Sequence, residues 1–84
     1  MNNTEIPKIR VDFQNADRHG NVRLNTIGTI EDLARYGVRL QPGLVMRLVA
    51  EELSAEGRAL FSDEEKIWVA KVDWKEVIPP NDEV

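Results

Sequence analysis

The chain has 84 residues, 42% of them hydrophobic and 31% charged, with no cysteine, one histidine and a net charge of −4. That length supports one domain with one core, which buries only about 60–65% of the unfolded surface. The missing cysteines exclude a disulfide scaffold and a thiolate metal site. Charge is unevenly placed: residues 1–50 carry seven basic and five acidic side chains, a balance of +2, and residues 51–84 carry four basic and ten acidic, a balance of −6. An acidic total disfavours nucleic acid as a partner, because phosphate neutralisation supplies most of the affinity of such binders.

No basic, apolar and small-residue succession of a secretory signal opens the sequence. The longest apolar runs, such as Ile67-Trp68-Val69-Ala70, are four residues long, against the roughly 20 needed for a membrane span. The expectation is a cytoplasmic protein with no membrane partner.

In chain order, residues 1–5 read as a flexible start. Ile9, Val11 and Phe13 then alternate with Lys8, Arg10 and Asp12, the period-two signature of a strand with one buried face. Polar turn formers fill residues 15–21, and Val22-Arg23-Leu24-Asn25 resumes the alternation. The two runs predict a hairpin with a loop of about seven residues.

Residues 29–37 predict two turns of helix. Thr29 is the expected N-cap, Glu31 and Asp32 sit in the first turn, and Ile30, Leu33 and Ala34 share a face. Glu31 precedes Arg35 by four residues in the favourable order, and Gly37 suits the left-handed position that ends a helix.

Gln41-Pro42-Gly43 has the proline and glycine of a type II turn. Residues 44–51 follow as a third strand, with Leu44, Met46, Leu48 and Ala50 on one face. Ser54-Ala55-Glu56-Gly57 reads as the turn into a fourth strand over residues 58–62. Asp63-Glu64-Glu65 turns the chain into a fifth strand over residues 66–74, where Trp68, Ala70, Val72 and Trp74 share a face. Residues 79–84 read as a flexible acidic tail, leaving 6–78 as the single domain.

Chemistry-bearing constellations are missing from this pattern. His19 has no companion ligand for zinc and no nucleophile to serve, the five glycines stand singly, and the contiguous acids 63–65 lack the spaced ligands of a calcium loop. No cofactor, no metal and no catalytic activity are expected.

Five short strands, one helical turn, the Pro-Gly turn into the third strand and a terminal three-strand meander resemble small SH3-like barrels over residues 6–78. The resemblance implies a mainly β fold, a five-stranded SH3-like barrel with one short helix between strands 2 and 3; the expected role is a non-catalytic protein-interaction module or small accessory subunit. Gly28 to Leu33 and Trp68 to Asp73 are also similar to segments of short uncharacterised bacterial proteins, a likeness that implies no activity.

A further resemblance rests on Gly20-Asn21-Val22-Arg23-Leu24, the short helix, Gly37-Val38 and the 42–48 segment, which is similar to the swapped-hairpin repressors of the AbrB/MazE type. It implies a dimeric DNA-binding regulator using Arg10, Arg18, Arg23 and Arg39, although Asn25 stands where those repressors carry proline.

Strands 3 and 5 carry apolar residues on their second face as well: Val45 and Val49, Ile67 and Val69. A sheet with one solvated face would be polar there. Either the domain covers this set itself or an unidentified protein partner does. The candidate partner surface is therefore Val45, Val49, Ile67 and Val69, with Trp74 at its edge and Arg47 and Lys71 as polar neighbours. A monomer is the favoured state, with a homodimer as the alternative.

Overall fold

The computed structural model describes residues 6–77, so the ends expected to be flexible, 1–5 and 79–84, lie outside the described residues. Five strands form one sheet: β1 (Lys8–Arg10), β2 (Val22–Arg23), β3 (Val45–Val49), β4 (Ser54–Ser62) and β5 (Ile67–Val72). A single α-helix, α1 (Ile27–Arg35), lies between β2 and β3, and a 3-10 turn (Trp74–Glu76) follows β5. The spatial order is β1-β3-β4-β5-β2, and the sheet curls into a half-barrel. The mainly β reading with one helix between strands 2 and 3 holds.

The concave face is the core. Ile9, Met46, Leu48 and Val22 are fully buried there, joined by Val11, Phe13, Leu24 and Ala70. On β4 the inward positions that are buried, Ala55, Gly57 and Ala59, are all small. A Cβ on Gly57 would stand 2.7 Å from Leu48 Cδ1 and 3.3 Å from the Ala70 Cβ. Glycine in a strand interior lets a neighbour approach closely, and here it lets the Leu48 side chain lie across β4.

Several expectations are corrected. Residues 54–57 are not a turn but the first half of β4, paired with β3 from Val49↔Ser54 to Val45↔Arg58. The reversal comes earlier, where Ala50 N–H donates to Leu53 C=O at 2.8 Å. Ser54 and Gly57 look like turn formers because of their residue types, yet Gly57 is there to be small. The fifth strand stops at Val72, so Trp74 belongs to the 3-10 turn and not to the strand face.

β1 and β2 are not a strand pair. β1 runs parallel to β3 (Ile9↔Leu48) at one edge of the sheet, and β2 pairs with β5 at the other. A short hairpin does exist further along the chain, where Ala16 bridges Val22 and Arg23 N–H donates to Asn15 C=O at 2.9 Å. Its loop is tied by the Asp17 carboxylate, which accepts from the N–H groups of His19 and Asn21 at 2.9 Å each.

Helix α1 starts three residues before its expected first turn. Thr26, not Thr29, is the N-cap, accepting from Thr29 N–H at 3.2 Å. That displacement takes Glu31 and Asp32 out of the first turn and rotates the helix, so that Thr29 and Asp32 are buried. Ile27 and Ile30 are 76% and 56% exposed. The helix therefore docks through a largely polar face, and Ile30 and Ala34 are not the buried face expected of them.

Candidate functional site

Ladder parity decides which side chains share the convex face. With Met46 and Leu48 of β3 turned into the core, Val45, Arg47 and Val49 point outward, and register brings Glu56, Arg58 and Leu60 of β4 and Ile67, Val69 and Lys71 of β5 to the same side. Six of the seven residues named for the candidate surface thus point to one side by register, and Trp74 lies apart from them in the 3-10 turn. Their accessibility differs. Val45, Val49 and Ile67 are half-buried, and Val69 is fully buried and offers no area to a partner.

Val69 sits in the ladder between Leu60 of β4 and a polar neighbour that the apolar pattern could not reveal. Its ladder partner on β2 is Arg23, whose guanidinium makes a two-pronged pair with Glu65, Nε to Oε1 at 2.7 Å and Nη2 to Oε2 at 2.8 Å. Arg23 also donates to Asn15 Oδ1 and Ala16 C=O, both at 3.1 Å. The hydrogen bond from Arg23 holds the Glu65 carboxyl below its ordinary range, against the opposing effect of burial. The helix does not serve as the cover; its packing is against β1.

At one end of the convex face Arg47, Glu56, Arg58 and Lys71 meet Val72, Asp73, Trp74 and Glu76 around an open groove of about 920 Å³. Arg47 lies opposite Glu56 across the β3–β4 ladder, and Arg58 opposite Lys71 across the β4–β5 ladder. Like charges directly opposite one another destabilise a sheet. Glu56 offers Arg58 only a loose contact of 3.7 Å. Trp74 forms the rim, 43% exposed, with its ring N–H donated to Gly20 C=O at 2.8 Å and its edge against Phe13 at a 6.0 Å centroid separation. Trp68 instead packs on the core, edge-on to Phe61 at 5.5 Å. Of the seven expected residues, Arg47, Lys71 and Trp74 line the groove; Val45 and Val49 lie on β3 beside it.

The four arginines of the DNA-binding alternative are scattered, and three are held by carboxylates. Arg18 Nε stands 3.0 Å from Glu64, which His19 Nε2 also reaches at 3.1 Å. Arg23 is committed to Glu65. Arg10 sends Nε to Asp32 Oδ2 at 3.0 Å and Nη2 to Asp32 Oδ1 at 2.9 Å, with Glu31 at 3.2 Å. Arg39 is exposed.

The Arg10–Asp32 pair belongs to a polar junction that sequence reasoning missed. β1 is an edge strand, and Pro7 C=O and Val11 N–H bond to β3, so the N–H and C=O of Arg10 face away from the sheet. Two helix side chains stand in for the missing strand: Arg10 N–H donates to Asp32 Oδ2 at 2.9 Å, and Thr29 Oγ1 donates to Arg10 C=O at 2.5 Å. Arg10 holds the buried Asp32 carboxyl below its ordinary range, chiefly through its side-chain hydrogen bonds. The junction covers part of an edge that would otherwise be free to pair with another chain. Nothing in the local sequence links residues 22 positions apart.

Among the described residues no group of three or more His, Cys, Asp or Glu side chains could hold a metal ion. No helix among them is long and apolar enough to cross a membrane. Comparison with known proteins finds no matching family model, no matching curated protein and no matching solved structure.

Proposed function

We propose that this chain is a small SH3-like domain acting as a non-catalytic interaction module, or as an accessory subunit, that docks a carboxylate-bearing protein partner on the convex end of its sheet. The reading rests on one observation: Arg58 and Lys71 are placed directly opposite each other, with Arg47 on the neighbouring strand and a half-exposed Trp74 at the rim. An opposed pair of cations with only the loose Glu56 contact to Arg58 costs stability in the free domain, and an incoming carboxylate would relieve it. A large aromatic ring beside arginine is a common composition of an interface centre.

The non-catalytic part of the proposal draws on the scarcity of nucleophile–base pairs. The groove offers the carboxylates of Glu56, Asp73 and Glu76 with no histidine or cysteine beside them, and His19 lies exposed in a loop. The dimeric DNA-binding reading takes second place, because Arg10, Arg18 and Arg23 already satisfy carboxylates of the same chain.

The test is capture of a partner from the native cell extract by the tagged protein, compared with the Arg47→Glu and Trp74→Ala variants. Arg47 is half-buried and Trp74 packs on Phe13, so the fold of each variant is checked by far-ultraviolet circular dichroism and urea unfolding before capture is compared. The proposal requires the same captured band to be lost in both variants. Retention of that band at wild-type level in both would remove the groove as its docking site.

A further inference from the structure

We infer that a second surface, separate from the convex groove, receives an extended acidic peptide along the uncovered end of β1. The chain of causes begins at Gly37. Its φ of +63° is the left-handed conformation that glycine adopts without strain. There Gly37 N–H donates to Ala34 C=O at 3.1 Å and Val38 N–H to Leu33 C=O at 2.9 Å, the paired bonds that close a helix and turn the chain away. Helix α1 therefore ends at Arg35, having supplied edge partners to Arg10 only.

Lys8 is the next β1 residue whose N–H and C=O face off the sheet, by the same alternation that turns those of Arg10 toward the helix. No described residue reaches across to bond them as Asp32 and Thr29 do for Arg10. Beside this stretch lies an open groove of about 820 Å³, between residues 6–8 and the loop that follows the helix. Its walls are apolar or cationic: Ile6, Tyr36, Val38 and Leu44 with Lys8 and Arg39, and among the described residues no carboxylate lines it. In a chain of net charge −4, a groove whose charged described residues are Lys8 and Arg39 selects by charge.

An open strand edge, a flanking apolar trough and two cations together match the requirements of strand addition. Main-chain bonds to the edge hold the peptide, and alternate side chains choose it. The occupant is an extended peptide alternating aliphatic and acidic residues. Its backbone pairs with Lys8, its aliphatic groups lie against Ile6, Tyr36 and Leu44, and its carboxylates meet Lys8 Nζ and the Arg39 guanidinium.

The probe is a synthetic peptide of alternating valine and glutamate, blocked at both ends. It is titrated into the ¹⁵N-labelled full chain, with fluorescence anisotropy of a labelled copy for affinity. The proposal expects saturable binding and amide shifts centred on Lys8, Tyr36, Val38 and Arg39. Affinity should fall at least tenfold in the Lys8→Glu/Arg39→Glu double variant, whose fold is checked by its amide spectrum. A copy of the peptide N-methylated on alternate backbone nitrogens should also bind the unaltered protein at least tenfold more weakly, separating strand pairing from simple charge attraction. No saturable binding at millimolar peptide would overturn the proposal, as would equal binding by the double variant or by the methylated peptide. Shifts confined to Arg47, Lys71 and Trp74 would also overturn it, and would assign the peptide to the convex groove instead.

Discussion

The concave core and the α1–β1 junction secure neighbouring parts of the same fold by opposite means. The core is apolar and close-packed, with Leu48 crossing β4 over Gly57. The junction is a polar lock in which Asp32 and Thr29 complete the hydrogen bonding of an edge strand while the helix leaves Ile27 and Ile30 in solvent. Apolar packing tolerates loss of material in a graded way. A buried polar lock does not, since removing one partner leaves the other unsatisfied.

The core is most sensitive at Gly57. Gly57→Val places branched carbon where even a Cβ lies 2.7 Å from Leu48. Overpacking of this kind should cost about 3 kcal/mol, a large share of the stability of so small a domain. Urea unfolding should show the midpoint collapse. Compensation by Leu48→Ala in the double variant would tie the loss to that one contact.

At the junction, Asp32→Ala should cost about 2 kcal/mol by stranding the N–H of Arg10. Asp32→Asn should cost less, because its amide oxygen can still accept. The pH dependence has a definite sign. Asp32 and Glu65 both titrate below their ordinary values in the folded chain. Their stabilisation is thus complete above the unfolded carboxyl range of about 4 and is lost as pH falls through the lower folded values. Stability followed from pH 6 to pH 2.5 should decline on the acid side, and Asp32→Asn should flatten that decline.

The smallest effect sharpens the contrast most. Ile30→Gln removes an isoleucine from the helix that periodicity marks as core, yet it should change stability by no more than about 0.5 kcal/mol, because the residue faces water. A loss of 2 kcal/mol or more by chemical denaturation would mean that this face is covered in solution.

What the sequence made legible follows the same division. Alternation through Ile9, Val11 and Phe13 and through Met46 and Leu48 located the core, because burial by a sheet writes a period of two into the chain. Gly37 identified the helix end because a left-handed residue is needed there. The helix start was not decidable from residue type: Thr26 and Thr29 lie one turn apart, their hydroxyls 2.6 Å from each other, and either could cap. Arg10 with Asp32 and Arg23 with Glu65 are long-range ion pairs with no local signature, so the polar neighbour of Val69 was invisible. β1 found its partner in β3 instead of β2 because its continuation, not the strand itself, makes the hairpin with β2. The convex-face residues were legible as a set; that only Arg47, Lys71 and Trp74 among them reach the groove was not, since register decides it.

The central functional claim is that the convex groove keeps opposed cations for a partner at the expense of the free domain. Lys71→Glu measures both sides at once. It replaces a like-charged pair with an opposite-charged one across β4 and β5, which should raise stability by about 0.5 kcal/mol, or roughly 3 °C in melting temperature for a domain of this size. The same variant should lose the partner that the unaltered protein captures. A variant that gains stability and fails to capture is the predicted result. A variant that captures as well as the unaltered protein, whatever its melting temperature, would contradict the account.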